Sequence, residues 1–141
     1  MKNKITFTMI KPDAFENGYV GLILDKIIKS GFKIRAMKMI NLSVTQAEKF
    51  YGIHKNKPFF RELINFMTRS PIIVSVIEKK NAVEDFRKLI GSTNPSKAKE
   101  GTIRKLYANS VGENAIHGSD SNENALLESL FHFSKSEIFN K

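Results

Sequence analysis

The sequence predicts an α+β, ferredoxin-like βαββαβ sandwich: a four-stranded antiparallel sheet with helices on one face, inserted helices and a long functional loop. Three observations predict it. KITFTMI (4–10) alternates apolar residues with threonine, the period of a strand. After it, strand and helix patterns follow in the order β-α-β, two inserted helices, β-α-β and a closing helix. No repeat, linker or low-complexity tract divides the 141 residues, so one domain over 1–141 is expected, long enough to bury a real core.

Each element has its own reason. Lys11-Pro12-Asp13 ends the first strand, because proline cannot donate to a ladder. In GYVGLILDKIIKSG (18–31), Val20, Ile23, Leu24, Ile27 and Ile28 recur at helical spacing, and Gly31 suits the position after the helix. FKIRAMKMI (32–40) reads as a second strand whose alternation slips near Met37. Ser43-Val44-Thr45-Gln46 reads as a capping box opening a helix to about Tyr51. Pro58 suits the first turn of the next helix, with Phe60, Leu63, Ile64 and Met67 on one face. PIIVSVIE (71–78) is a β-branched run fit for a central strand. Asn81 to Glu84 cap a helix burying Val83, Phe86 and Ile90 before Gly91. Ala115-Ile116 ends a last short strand, and Asp120 to Glu123 cap a helix with Leu127, Leu130 and Phe131 on one side.

Residues 92–114 are the anomaly. About 20 residues without regular structure are unusual in a compact domain unless they are functional or disordered. Ile103, Leu106 and Tyr107 in TIRKLY favour a packed loop with a short helix near 102–107.

Composition excludes some classes. With 41% hydrophobic and 26% charged residues the chain reads as an ordinary globular protein, and no apolar run reaches membrane-span length. The N-terminal apolar run, flanked by Lys2 and Lys4 and broken by Thr6 and Thr8, is too short and polar for a secretory signal. The absence of cysteine rules out disulfides, thiolate metal sites and a thiol nucleophile. A cytoplasmic location is expected. The net charge of +9 favours anionic partners and chooses none among nucleotides, nucleic acids and anionic membranes.

The chemistry must come from side chains. Neither GxxxxGK[ST] nor GxGxxG occurs, so a phosphate site would need cations and hydroxyls such as Lys11, Tyr51, Arg87, Thr93 and Arg104. No GxSxG elbow is present. His132, between two phenylalanines on an amphipathic helix, reads as structural, and His54 sits in a basic loop. His117 lies at a strand end before a capped helix. On local sequence it could serve as nucleophile, general base or metal ligand, although no HxxxH or HxH partner supports a metal.

NAIHGSD (114–120) resembles the active-site signature of the nucleoside diphosphate kinase family. MIKPDAF (9–15), GFKIRAMKM (31–39), FYGIHKNKPFF (50–60), GSTNP (91–95) and GTIR (101–104) follow the family's order, so the resemblance runs from residue 5 to about 138. It implies transfer of a γ-phosphoryl group from a nucleoside triphosphate, usually ATP, to a nucleoside diphosphate. The route is ping-pong, through a phosphohistidine.

By the same resemblance His117 is the nucleophile, attacking through Nδ1, with Ser119 and Glu128 steadying the ring and Tyr51 beside it. Lys11, Arg87, Thr93 and Arg104 match phosphate contacts, and His54 is a further candidate. Lys11 and Asn114 match contacts to the sugar hydroxyls, and Phe59 and Val111 flank the base. Mg²⁺ is expected on the nucleotide phosphates, with no dedicated protein ligands. A homo-oligomer is implied, a hexamer in preference to a tetramer.

The chain departs from the family pattern at Glu100, at Lys105 and Leu106 after the loop arginine, and at Phe86 before the helix arginine. The rival class, an RNA-binding module, shares the topology and the charge. It lacks its aromatic motif here, so nucleic acid is not a required partner.

Overall fold

A computed structural model describes residues 4–140. Residues 1–3 and 141 of the expected domain, including Lys2 of the N-terminal reading, lie outside them. The elements are β1 (Ile5–Ile10), α1 (Pro12–Glu16), α2 (Val20–Lys29), β2 (Lys33–Ile40), α3 (Val44–Phe50), α4 (Phe60–Thr68), β3 (Ile72–Glu78), α5 (Ala82–Ile90), α6 (Ile103–Tyr107), β4 (Ile116–Gly118) and α7 (Asn122–His132). Short 3₁₀ turns lie at Gly52–His54, Pro95–Lys97 and Lys135–Glu137.

The sheet runs β2-β3-β1-β4, and each neighbouring pair is antiparallel. This is the expected four-stranded architecture. Its helical layers differ from the expectation of one covered face. On one side Phe7, Met9, Val74 and Val76 pack with Ala47 of α3 and with Ile64 and Met67 of α4. On the other, Ile10, Ile73 and Ile77 pack with Ile23 and Ile27 of α2 and Phe86 and Ile90 of α5. The reason is written in the central strands. Every residue of β1 is buried, and Thr6, Thr8 and Ser75 supply small buried side chains where strict alternation would put solvent.

Local chemistry explains most boundaries. Ser43 and Gln46 form the expected capping box, with Gln46 N–H to Ser43 Oγ at 3.1 Å and Ser43 N–H to Gln46 Oε1 at 2.9 Å. Ser121 caps α7 through the N–H of Asn124 at 3.0 Å. Gly31 follows α2 with φ of +95°.

Several expectations are corrected. Pro12 opens the short α1 as well as closing β1. Pro58 precedes α4, which begins at Phe60. Asn81 starts α5 from a left-handed conformation (φ 56°), with no side-chain cap. The slip in β2 is a bulge at Arg35, between Ile34 and Ala36. Helix α7 buries Ala125, Ser129 and His132, while Leu127, Leu130 and Phe131 are 61%, 40% and 41% exposed. Small residues on that stripe let α7 approach β1 closely, and this proximity outranks hydrophobicity in choosing the buried face.

The 92–114 segment is a packed loop. Thr102 caps α6 by accepting from the N–H of Lys105, and Ile103 is fully buried. Gly91 permits the docking: a Cβ there would lie 2.6 Å from Thr102 Oγ1, and its φ of +87° disfavours other residues.

Candidate active site

β4 carries the histidine. His117 pairs with Met9 within the strand, one residue further into the sheet than the strand end the sequence indicated, and Ala115 lies before the strand. Its side chain is on the face of Phe7, with ring centroids 6.1 Å apart, and Phe50 meets it edge-on at 5.9 Å. Gly118 turns to the other face and lets α5 come close, since a Cβ there would sit 2.9 Å from Phe86. That contact explains why a large apolar residue at 86 is accommodated next to Arg87.

One carboxylate oxygen orients the ring. Glu128 Oε1 lies 2.8 Å from His117 Nε2 and accepts the Ser119 hydroxyl at 2.7 Å. Ser119 is fully buried and is tied to β1, accepting the N–H of Phe7 at 3.3 Å. With Nε2–H donated to the carboxylate, the imidazole lone pair resides on Nδ1. Tyr51 packs edge-on against Phe50 at 5.0 Å. Its hydroxyl is buried with no hydrogen-bond partner among the described residues, and burial together with nearby Glu128 pushes its pKa up.

The cations gather beside this unit. Arg87, Thr93 and Arg104 line one cavity with Gly91, Ser92 and Gly118. Arg104 is buried and donates to three carbonyls: Asn114 at 3.3 Å, Gly91 at 3.0 Å and Ile116 at 2.7 Å. Both terminal nitrogens keep a further N–H for a ligand. Burial and then Arg87 lower the Arg104 pKa to about 10. Lys11 Nζ donates to Asn114 Oδ1 at 2.8 Å, and burial, followed by the charge of Arg104, lowers its pKa to about 8. The positive charges thus destabilise one another, and a bound anion would relieve them.

The structure brings together His117, Ser119 and Glu128, and separately Lys11, Asn114, Arg87, Thr93 and Arg104. Phe59 lies on the surface against His54 (5.6 Å between rings) and the Lys57 ammonium (5.8 Å), and stays 47% exposed. Val111 is 54% exposed in the turn before β4. Sequence reading missed Asp13, which is 1% exposed and accepts the N–H of Ala115 at 3.0 Å. Its place directly after Lys11-Pro12 was visible, but nothing local marked it as buried. It also missed the ring set of Phe7, Phe50 and His132 around His117.

A carboxylate-anchored histidine beside a cluster of cations that raise one another's energy, on this α+β scaffold, is the equipment of a phosphotransferase. The model of the nucleoside diphosphate kinase family matches residues 4–138. Similar proteins carry the same description. The nucleoside diphosphate kinase of Flavobacterium psychrophilum is 57% identical over 99% of this chain and 100% of its own. That of Chlamydia trachomatis is 50% identical over 96% of both. Among solved structures, the Aquifex aeolicus nucleoside diphosphate kinase superposes with a TM-score of 0.93 at 40% identity, over 96% of this chain and 98% of that one. The Halobacterium salinarum enzyme, solved in complex with CDP, gives 0.93 at 34% identity, over 97% and 91%. The chain belongs to the nucleoside diphosphate kinase family.

Proposed function

We propose that this chain moves the γ-phosphoryl group of a nucleoside triphosphate, usually ATP, to a nucleoside diphosphate by way of a phosphohistidine on His117. The observation that supports it most is the commitment of His117 Nε2 to Glu128 at 2.8 Å, which leaves Nδ1 as the nucleophilic nitrogen. Nδ1 attacks the γ-phosphorus, the bond to the bridging oxygen breaks, and the diphosphate leaves with that oxygen. A terminal oxygen of the acceptor diphosphate then attacks the same phosphorus. The P–N bond breaks and the free imidazole returns.

The supporting roles follow from position. Glu128 stabilises the positive charge that grows on the ring, and Ser119 holds Glu128 in register with β1. Lys11, Arg87, Thr93 and Arg104 take the phosphate oxygens, with the buried Tyr51 hydroxyl as a further donor. Asn114 and Lys11 take the sugar hydroxyls, and Phe59 and Val111 flank the base. His54, its ring 5.6 Å from that of Phe59, is the further candidate for a phosphate contact.

No group of three or more His, Asp or Glu side chains able to hold a metal ion is found among the described residues. A cluster of cations suits an ion that comes on the nucleotide, and we take the family's divalent metal to be Mg²⁺. When bound, it neutralises phosphate charge.

The reading extends to one domain over 1–141, a cytoplasmic location, and a homo-oligomer, hexameric in preference to tetrameric. No helix among the described residues is long and apolar enough to cross a membrane. The half-exposed Met37 and Met39 of edge strand β2, with Leu22 and Ile28 of α2, support self-association.

The test uses γ-labelled ATP with Mg²⁺. Label is expected on the protein, stable in alkali, lost in acid, and passed to added GDP. His117→Ala is expected to carry none; equal labelling of that variant would defeat the mechanism.

A further inference from the structure

The backbone just before His117 is strained. Ala115 has φ of +73°, a left-handed value that L-alanine adopts at a cost. Ile116 N–H reaches back to the Asn114 carbonyl at 2.9 Å, closing a tight three-residue turn centred on Ala115. Such a turn persists only where its surroundings over-determine it.

Segment 11–13 supplies that constraint from both sides. The Lys11 N–H donates to the Ala115 carbonyl at 2.8 Å. The Asp13 carboxylate accepts the Ala115 N–H through Oδ2 at 3.0 Å. Asp13 is 1% exposed, and its Oδ1 is buried with no hydrogen-bond partner among the described residues. Burial accordingly raises its pKa, against the hydrogen bonds from the backbone amides of Ala14 and Ala115 and the charge of Lys11. Burying a carboxylate is costly, so a buried one with a single long-range partner calls for a reason.

The turn provides the reason. It reverses the chain between Asn114, whose side chain meets Lys11 at 2.8 Å, and His117, which enters the sheet opposite Met9. We propose that Asp13 is a positioning residue: its buried carboxylate holds Ala115 in the left-handed turn and thereby sets the placement of Asn114 relative to His117. The proposal rests on the phosphohistidine reading above. Arg104, bonded to the carbonyls of Asn114 and Ile116, braces the same turn from the phosphate side.

The experiment measures single-turnover labelling of the enzyme by γ-labelled ATP in four proteins beside wild type: Asp13→Ala, Asp13→Asn, Ala115→Gly and the double variant Asp13→Ala/Ala115→Gly. Misplacement of a reacting group on this scale slows Asp13→Ala by about tenfold or more. Asp13→Asn keeps an acceptor for the Ala115 N–H and stays within roughly threefold of wild type. Glycine adopts positive φ freely, so the double variant recovers at least about half of the logarithmic loss. A role confined to fold stability or to the charge on Lys11 predicts no such recovery.

Wild-type labelling in Asp13→Ala, or a double variant as slow as Asp13→Ala, overturns the proposal. If Asp13→Ala does not fold, Asp13→Asn decides: a loss above about tenfold overturns it, and a near-wild-type rate supports it. Absence of label on wild-type protein is the separate outcome that would defeat the kinase reading itself.

Discussion

His132→Phe is expected to flatten the acid dependence of stability. His132 is buried on α7, lies parallel to Phe7 (3° between planes, 5.1 Å between centroids), and its Nε2 is buried with no hydrogen-bond partner among the described residues. Burial, with the charge of Lys38 on β2 and a smaller effect of His117, holds its pKa down to about 4; Glu128 opposes the shift. The unfolded chain returns it to about 6.5. A base with a depressed folded pKa is neutral in the native state and charged in the unfolded chain. The unfolded chain therefore binds more protons between those values, and stability falls as pH drops through about 6.5 towards about 4. From pH 7 to pH 5 the loss from this residue is about 2 kcal/mol, from roughly 1.5 pH units at about 1.36 kcal/mol each. Phenylalanine keeps the stacking and deletes the proton site, so its own stability at pH 7 is unchanged or higher by about 1 kcal/mol. The assay is denaturant unfolding of both proteins at pH 7 and pH 5, at one protein concentration because self-association, as proposed, would link stability to concentration. Equal pH-dependent losses in the two proteins would refute the reasoning.

Three further predictions come from the site. Phe59→Ala raises the KM of purine and pyrimidine nucleotides alike, by about fivefold given the half-exposed ring; a selective loss for one base contradicts the stacking role. Lys11 loses its charge as pH rises through about 8, so ADP affinity from titration calorimetry is expected to weaken by roughly tenfold between about pH 7 and 9.5. Lys11→Arg should show a flatter profile over that window, and parallel profiles would remove Lys11 from phosphate binding. Gly118→Ala pushes a methyl against Phe86 and Ile90 and is expected to cost about 1–3 kcal/mol in denaturant unfolding; an unchanged midpoint would show that α5 yields freely.

Much of the fold was legible because it is written locally. The capping box at Ser43, the helical spacing of Ile23 and Ile27, and the β-branched run at 72–77 each fall in a short window. The two-sided sheet was not legible from β1. Alternating threonines signal a wet face until α5 is known to cover them. Helix α7 misled for a similar reason, since close approach to β1 selected Ala125 and Ser129 over the leucines. Arg104 was found as a candidate, but its three carbonyl partners lie on segments at residues 91, 114 and 116, beyond any local pattern.

The sequence alone marked the order of the strands and longer helices, the polar loop ahead of the last strand, and His117 with the residues proposed to serve it. The order follows from period and capping, which need only neighbouring residues, and the proposed set follows from resemblance to the family. Tertiary structure decided what the set can do. The lone pair on Nδ1 depends on Glu128, the buried Ser119 depends on Phe7 from the other end of the chain, and the depressed pKa of Lys11 depends on burial and Arg104. Protonation and orientation are energies of contact and desolvation, and those exist only once distant segments have met.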